Sequence, residues 1–513
     1  MAAFIKQAFL GILFGSLILL ACTPIETEET TIKHPNVLFI AIDDLNDWVE
    51  PLAGNEQTIT PNLKKFATTG VNFTANYCTS PGCNPSRSTL LTGLHTYNSG
   101  MYSNYQDWRT IPRLANQPTL GHYFRQNGYY TAGAGKIFHY SQVDTLAWDA
   151  YYPSIKNPMP ADIFPEKVPA NMPRFKYMYK MFDWSPLTIS DEETGDYKSV
   201  DFIGQQLEQA HDKPFFPACG IYRPHLPWYV PQKYFDKFPL ESIQLPKLME
   251  KDTADLGKRA KELMARGGNY HKHVLAANQW KKAVQGYLAS VAYADAMVGE
   301  LLGRLEKSAY ADNTIVVIWS DHGWQLGQKN HWRKFALWEN VIKTVLMMKV
   351  PEGVAALPEG AKTGGVTKNL TSLIDLYPTL TELCGLPERA DLDGESLIPI
   401  LKNPDSTILR PIITTYDFGD YSVRYHKWHY IKYIDDSEEL YDLELDPEEW
   451  TNLANNPKFE SIKVQIAGYI PKNPIPLPEV SLIELQEHHI PPVKSKAFYE
   501  SKERVEWMKR FDN

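Results

Sequence analysis

The chain has few cysteines, and their spacing matches neither a zinc finger nor a small disulfide scaffold. Five cysteines occur in 513 residues, with no C-x2-C or C-x3-C pair. A chain of this length can bury a stable core without disulfides. A bridge between Cys78 and Cys83 is sterically conceivable, but its tiny loop would add little stability. We therefore expect Cys78, Cys219 and Cys384 to be packed free thiols, which leaves Cys83 to be explained.

The chain also lacks an excess of positive charge. Its formal net charge is -9 and its pI is about 5.9, whereas nucleic-acid-binding proteins need a basic surface. That class is excluded, although a local basic pocket for a small anion is not. With 43% hydrophobic and 22% charged residues, the composition is that of a globular protein. No internal repeat or low-complexity segment is evident.

Long apolar runs suited to the membrane are absent, apart from residues 8–21, which follow Lys6. This run is short for a membrane span and is typical of a signal-peptide core. It ends in Leu-Leu-Ala-Cys, which resembles a bacterial lipobox with Cys22 as the lipidated residue. The alternative is cleavage near Ala21 with Cys22 incidental.

We expect residues 1–22 to be a lipoprotein signal peptide and residues 23–34, which are polar, to be a flexible tether. The mature protein would then be an exported bacterial lipoprotein. It would lie in the periplasm or at the outer-membrane surface, and only the lipid on Cys22 would contact the membrane.

Four apolar segments predict a mostly parallel sheet that is buried on both faces. They occupy residues 36–44, 129–139, 214–225 and 313–323, and each ends in polar side chains. The clearest helical spacing lies at residues 280–307. We therefore predict an α/β fold with helices flanking the central sheet. Ligands of such sheets bind beyond the carboxyl ends of the strands, where these polar side chains would meet.

The pattern of residue types changes beyond about residue 400. Aromatic and polar residues alternate from residue 410, as they do in antiparallel strands. We predict a catalytic domain over 35–400 and a smaller C-terminal α+β subdomain over 401–513, which carries an antiparallel sheet. Segments 141–190 and 226–275 follow polar strand ends, so each is either a substrate rim or surface decoration.

Two acidic pairs at strand ends predict a metal site. Asp43 and Asp44 end one buried strand, and Asp321 and His322 end another. Adjacent buried carboxylates are costly without a positive partner, and their oxygens suit calcium or magnesium. Either pair alone would more simply be a helix cap or a surface turn. Two pairs on matching strand ends favour a metal.

The stretch "CNPSR" at residues 83–87 predicts an anion site beside a reactive side chain. Pro85 suits the first turn of a helix, which places Cys83 at the helix N-terminus, where anions bind. Arg87 adds a permanent cation suited to a tetrahedral oxyanion. A thiolate fits poorly beside metal-binding carboxylates, and a group with oxygen donors would fit better.

These motifs resemble those of type I sulfatases. Cys83-Asn84-Pro85-Ser86-Arg87 matches C-x-P-x-R, and "LLTG" follows at 90–93. "NVLFIAIDDL" and "SDHGWQLG" resemble the two metal-binding strands of the family. The resemblance implies an alkaline-phosphatase-like fold and a bound calcium ion. It also implies oxidation of Cys83 by a maturase to formylglycine, whose hydrate is the nucleophile and whose oxygen joins the metal ligands.

Within that family the chain is most similar to the iduronate-2-sulfatase branch. The shared features are "GKIFH" with Lys136 and His139, "PHLP" with His225, and His322 after the metal-binding aspartate; Lys334 also stands at the expected place. The resemblance implies that Lys136 and Lys334, with Arg87, neutralise the sulfate. In our hypothesis His225 protonates the leaving oxygen and His139 deprotonates the second hydroxyl of the hydrate.

Two further cations, His331 and Arg333, flank this segment without an assigned role. The implied activity is hydrolysis of sulfate monoesters on a sulfated polysaccharide or its oligosaccharides. Candidates are algal glycans such as ulvan or carrageenan, and glycosaminoglycans; neither the sugar nor the ester position follows from the sequence. The alternatives are a phosphonate or phosphate monoester hydrolase on the same scaffold, and a non-catalytic lipoprotein that binds sulfated glycans.

Overall fold

An eight-stranded sheet crosses the centre of the molecule and ends at the candidate site. The computed structural model describes residues 34–172, 182–265, 269–478, 493, 495–502 and 504. The predicted signal peptide, the lipid-bearing Cys22 and all but the last residue of the tether lie outside these residues. The strands, in chain order, are β1 Asn36–Ile42, β2 Val71–Phe73, β3 Asn76–Tyr77, β4 Tyr130–Gly135, β5 Ala150–Tyr152, β6 Trp184–Leu187, β7 Phe215–Ile221, β8 Trp228–Pro231, β9 Thr314–Ser320, β10 Gln325–Leu326, β11 Trp332–Arg333, β12 Lys343–Thr344, β13 Leu346–Lys349, β14 Gly365–Thr367, β15 Thr371–Ser372, β16 Ile412–Tyr416, β17 Asp420–Tyr425, β18 Trp428–Lys432 and β19 Glu438–Asp442.

The four predicted strands are neighbours in the middle of this sheet. The sheet order is β14-β2-β13-β9-β1-β7-β4-β5, and β9, β1, β7 and β4 all run parallel. Strand β13 is antiparallel to both β9 and β2. The mostly parallel α/β sheet is therefore confirmed. Because the carboxyl ends of parallel strands meet at one edge, the polar residues that follow these four strands converge.

Side chains of β1 alternate between two hydrophobic cores, one on each face of the sheet. Val37, Phe39 and Ala41 belong to one core, while Leu38 and Ile40 belong to the other. Full burial of each larger apolar side chain contributes roughly 1.5–3 kcal/mol. The unbroken apolar run thus follows from a strand that is covered on both faces.

Helices cover both faces of the sheet. They are α1 Pro61–Ala67, α2 Cys83–Thr92, α3 Thr96–Ser99, α4 Leu120–Gln126, α5 Gly195–Glu208, α6 Gln232–Phe235, α7 Lys258–Ala265, α8 Tyr270–Ala276, α9 Trp280–Lys307, α10 Glu339–Ile342, α11 Leu376–Leu383, α12 Ile398–Lys402, α13 Glu460–Ala467 and α14 Lys496–Tyr499. The helix predicted over 280–307 is confirmed as α9. No helix in the described ranges is both long and apolar enough to cross a membrane.

The C-terminal part has its own antiparallel sheet, as predicted. Strands β16, β17, β18 and β19 pair in that order. Helix α13 packs against this sheet around a small core that includes Val423, Tyr430, Leu440 and Ile466. The proposed domain boundary at residue 400 stays a prediction.

The packed-thiol prediction is confirmed for the three described cysteines other than Cys83. Cys78, Cys219 and Cys384 are buried and free. Burial raises the pKa of each thiol, so these side chains behave as small apolar groups.

Candidate active site

Residues from four strand ends and one helix meet around the sulfur of Cys83. Nζ of Lys334 lies 2.8 Å from Sγ of Cys83, and Nζ of Lys136 lies 3.8 Å from it. Nε2 of His322 is 3.4 Å from the same sulfur. An oxygen of Asp44 lies 3.9 Å away. The structure therefore brings together predicted residues that are up to 290 positions apart in the chain.

Helix α2 begins at Cys83, as predicted from Pro85. Its first turn is also held to a strand end, since the hydroxyl of Ser86 donates to the carbonyl oxygen of Asp321 at 2.6 Å. Burial raises the pKa of the Cys83 thiol to about 12, although Lys136 and Lys334 act in the opposite direction. An unmodified thiol would accordingly be neutral here, which makes it a weak nucleophile.

Arg87 joins strand ends instead of facing the pocket with free donors. Its Nε donates to Asp321 at 2.9 Å and its Nη2 donates to Asp43 at 3.1 Å. Its Nη1 donates to the carbonyl oxygens of Lys136 and Ile137. One guanidinium therefore links the ends of β1, β4 and β9, and two buried carboxylates are paired. Its expected role on the sulfate stays a prediction.

The carboxylates form a compact acidic centre that cations surround. Asp43 accepts from Lys136, and Asp44 accepts from Lys334. The backbone N–H of Asp44 donates to Asp321 at 3.1 Å. Asp44 adopts a left-handed backbone conformation, with φ of 59°, which aspartate tolerates better than most residues. Arg87 holds the pKa of Asp321 well below its usual range, although burial opposes this.

The donor set fits a hard divalent cation. Ligand atoms of Asp43, Asp44, Cys83 and His322 lie within 4.8 Å of one another. One oxygen of Asp44 is buried with no hydrogen-bond partner among the described residues, and an ion would be such a partner. Carboxylate oxygens suit calcium, whereas a sulfur does not, so an oxygen-bearing side chain at position 83 improves the fit. Both oxygens of Asp321 already accept from protein donors, so its role as a ligand stays a prediction.

Two histidines face the centre with the same ring nitrogen. Nδ1 of His322 lies 2.9 Å from the carbonyl oxygen of Gly323, and Nδ1 of His225 lies 2.6 Å from that of Leu226. Because a carbonyl can only accept, Nδ1 carries the proton in both rings. Nε2 is therefore the nitrogen directed to the site: that of His322 lies 3.4 Å, and that of His225 3.8 Å, from Asp44 oxygens.

His139 stands at the rim of this group. Its Nδ1 is buried and has no hydrogen-bond partner in the part of the chain that the structure describes, and its ring packs edge-on against Tyr140 at 4.7 Å. Burial and the charge of Lys136 hold the pKa of His139 well below its usual range. The imidazole is thus neutral near pH 7, the state in which a ring nitrogen can accept a proton, although the lowered pKa makes it a weak base. Its expected role stays a prediction.

The segment that carries Lys334 is held in an unusual conformation. Both neighbours have positive φ, 78° for Arg333 and 73° for Phe335, which costs energy for such side chains. His331 fixes the turn, since its Nε2 lies 2.9 Å from the carbonyl oxygen of Lys334. Lys329 pairs with Asp252 at 2.7 Å. The structure thereby gives His331 a structural role that its sequence did not reveal.

Sequence reasoning missed two tyrosines beside Lys136. The rings of Tyr140 and Tyr222 lie 4.8 and 5.1 Å from its Nζ, and Tyr222 also packs against the ring of His225 at 4.6 Å. Both residues also line a cavity of about 140 Å³, together with Met159, Asp162 and Arg223 among others. The sequence could have indicated both tyrosines by their positions in the chain, because each lies within three residues of a predicted catalytic histidine.

The fold and the site define a hydrolase of oxyanion esters with an alkaline-phosphatase-like architecture. The chain belongs to the sulfatase family: the model described as "Sulfatase" matches residues 35–386. A second model, "N-sulphoglucosamine sulphohydrolase, C-terminal", matches residues 327–473. The protein is therefore a sulfuric ester hydrolase, and the sequence-based assignment to this family is confirmed.

Individual relatives agree with this assignment. The chain is 36% identical to a sulfatase of Formosa agariphila, over 88% of this chain and 90% of the relative. It is 28% identical to the iduronate 2-sulfatase of Mus musculus, over 74% of each chain. The solved structure of a 2-O GAG sulfatase has a TM-score of 0.65 and 21% identity, and the match covers 85% of this chain and 90% of that one. That structural match supports the fold.

Proposed function

We propose that this sulfatase hydrolyses sulfate esters on a sulfated saccharide, with residue 83 as formylglycine and with calcium as its metal. The observation that carries the proposal is the position of Lys136 and Lys334. Both ammonium groups lie within 4 Å of the Cys83 sulfur, where a sulfate under attack would sit between them. Preorganised positive charge at such a point is usually the largest catalytic contribution.

The remaining residues have roles that their positions support. Formylglycine supplies, as its hydrate, a hydroxyl nucleophile in place of a neutral thiol. Calcium would be held by Asp43, Asp44, Asp321 and His322, and it would supply positive charge against the ester oxygens. Nε2 of His225 donates a proton to the departing sugar oxygen.

The cavity beside Lys136 supports a saccharide as the substrate. Its walls combine tyrosine rings with the aliphatic side chains of Met159, Ile163 and Leu187, and sugar-binding sites need such flat apolar surfaces with a few polar groups. Tyr222 connects this cavity to His225. The sugar would then lie on the side from which His225 protonates it. Segment 141–190 supplies part of the wall, which favours the substrate rim over surface decoration, the two alternatives that its sequence left open. The relatives that act on iduronate sulfate and on GAG agree with this substrate class.

Sulfate release from defined saccharides tests the function. Enzyme produced with a maturase should release sulfate from at least one class among sulfated glycosaminoglycan, ulvan and carrageenan oligosaccharides. Mass spectrometry of the peptide spanning residues 79–87 should show conversion of Cys83 to formylglycine. Cys83→Ala should stay folded and inactive, as should enzyme whose Cys83 is unmodified. Faster turnover of phosphonate or phosphate monoesters than of every sulfate ester would contradict the proposal.

We also propose that the protein is exported and anchored by lipid on Cys22. The support is the sequence of residues 1–22, which lie outside the described structure. Labelling with a fatty-acid probe in a bacterial host should mark the wild type but not Cys22→Ala. The matched control is Cys384→Ala, which removes a buried thiol and should keep the label. A soluble, unlabelled wild-type protein in the periplasm would show simple cleavage near Ala21 instead.

A further inference from the structure

Arg333 is a buried arginine that pairs with no carboxylate in the described part of the chain. Only 4% of the residue is exposed. Its Nη1 donates to the hydroxyl of Tyr270 at 3.0 Å, and its Nε has no acceptor among the residues that the structure describes. The other buried arginines each have a carboxylate partner; these pairs are Arg87 with Asp43 and Asp321, Arg223 with Asp162, Arg259 with Asp417 and Asp420, Arg424 with Glu339, and Arg504 with Glu262.

An unpaired buried guanidinium is expensive, because desolvation of its charge is not compensated. The acidic centre does not supply the missing partner. Its three carboxylates are matched by the three cations described above, so those charges balance without Arg333. Its φ of 78° adds backbone strain. No ion pair within the described residues offsets this energetic cost.

The position of Arg333 relates it to the catalytic pocket. It precedes Lys334, whose Nζ contacts Cys83. In the β10–β11 hairpin Arg333 pairs with Gln325. The neighbouring Trp332 packs into the core, where its ring lies 5.7 Å from that of Phe182. With its φ of 78° Arg333 leaves the extended conformation of the strand, and its guanidinium lies 5.6 Å from the centre of the Tyr270 ring at the edge of that core. The backbone N–H of Phe335 donates to the carbonyl oxygen of Pro81 at 3.1 Å, so the segment also lies against the loop that precedes Cys83. Burial acts to lower the pKa of Arg333, but Tyr270 and, after it, the charge of Asp44 raise it; the contribution of Asp44 is in keeping with a position near the site.

We infer that Arg333 binds a second anionic group of the substrate, a carboxylate or an additional sulfate on the sugar that carries the scissile ester or on its neighbour. The inference rests on the proposed saccharide function and narrows it to polyanionic sugars. Nε and Nη2 lie on the same edge of the guanidinium, and this edge can donate two parallel hydrogen bonds to two oxygens of one oxyanion. Neither atom has a protein acceptor within the described residues, whereas Nη1 donates to Tyr270.

The test compares Arg333→Gln and Arg333→Lys with wild type, all matured and loaded with calcium. The substrates are 4-nitrophenyl sulfate, hexose monosulfates as the neutral arm, hexuronic acid monosulfates as the carboxylate arm, and hexose disulfates as the sulfate arm. The wild type should prefer one of the two anionic arms, and that arm identifies the group. Arg333→Gln should lower kcat/KM on it by about 30-fold, mainly through KM, because one charge-assisted contact is lost.

Arg333→Gln should change kcat/KM on the hexose monosulfates and on 4-nitrophenyl sulfate by less than about 3-fold. Arg333→Lys keeps the positive charge but lacks the planar pair of donors, so it should recover part of the lost kcat/KM. Arg125→Gln, at an exposed arginine paired with Asp149, is the matched control and should match wild type on every arm.

Three outcomes overturn the inference. Equal losses on all substrates would show that Arg333 only supports the Lys334 segment. If the wild type does not prefer substrates that carry a second anionic group, it has no site for such a group. This comparison uses the wild type alone, so it holds even if neither variant folds. In both cases the saccharide function would stand. Hydrolysis of 4-nitrophenyl sulfate with no release from any saccharide would instead overturn the proposed function, and the inference with it.

Discussion

The ammonium of Lys334 lies 2.8 Å from the sulfur of Cys83, although 251 positions separate the two residues. The contact depends on the C-terminal part of the chain. Lys329, five residues before Lys334, donates to the carbonyl oxygen of Glu449. Trp338, four residues after it, donates to Glu439 at 2.9 Å. The C-terminal part of the chain therefore helps to set the position of the Lys334 ammonium.

Loss of the Lys334 charge should slow turnover strongly. We expect Lys334→Ala to lower kcat by roughly 10²–10³-fold, the usual cost of removing one preorganised group that stabilises transition-state charge. Sulfate release under saturating substrate measures this. Lys64→Ala, at an exposed lysine paired with Glu50, is the control and should match wild type. A change in KM alone would mean that Lys334 binds substrate and transition state equally.

Shortening the Arg87 fork should destabilise the fold as well as the site. Lysine cannot link Asp43 and Asp321 at once, so Arg87→Lys leaves a buried carboxylate without its partner. Breaking a buried pair costs about 3–5 kcal/mol of unfolding free energy. Urea unfolding of the calcium-free protein should reveal this loss. Arg125→Lys, at a partly exposed pair, should cost under about 1 kcal/mol. Equal small losses in both variants would show that Arg87 is not a structural link.

Much of this site could be predicted from local sequence, because strand ends carry their own signal. An apolar run followed by Asp43 or by Asp321 specifies both the strand and the edge at which the side chain emerges. Pro85 likewise marks the start of helix α2. These features depend on neighbours in sequence, so periodicity and turn chemistry are sufficient to find them.

The remaining features depend on contacts between distant segments. The sequence indicates a cation at Arg87. It does not show that this guanidinium is paired with Asp43 and Asp321, which follow two different strands. It likewise cannot show that Tyr222 packs against Lys136, or that Glu449 anchors the Lys334 segment. A guanidinium or an aromatic ring has several possible partners of similar energy, and only the assembled fold selects among them.

Removal of the metal should lower stability and activity together. A ligand present at 100 times its Kd adds about 2.7 kcal/mol to the unfolding free energy, so exhaustive chelation should reduce Tm, and calcium should restore it. Asp44→Asn should weaken calcium binding measured by calorimetry at least ~10-fold, because a carboxylate ligand loses its charge. Asp107→Asn, at a pair near the surface with Arg109, should bind calcium normally. Full activity after chelation would contradict a metal at this centre.

His225 has the orientation that a general acid needs. Its Nδ1 proton is committed to the carbonyl oxygen of Leu226, so only Nε2 can carry the transferable proton. In the free enzyme, burial and the charges of Lys136 and Lys334 hold the pKa of His225 well below its usual range. A sulfate ester bound between these lysines offsets their charge, and the pKa of His225 should then rise. The proton would be available when substrate is present.

This assignment predicts a difference between two leaving groups. A sugar alkoxide needs a proton as the S–O bond breaks, whereas a nitrophenolate hardly does. His225→Ala should therefore lower kcat on a sulfated oligosaccharide by on the order of 10²-fold or more, with a much smaller loss on 4-nitrophenyl sulfate. His139→Ala should slow both substrates to a similar extent, because its step does not involve the leaving group. His122→Ala, a histidine beside Asp144, is the control. Equal losses on both substrates for His225→Ala would make His225 a binding residue, since its contribution would then not depend on the proton that the leaving oxygen requires.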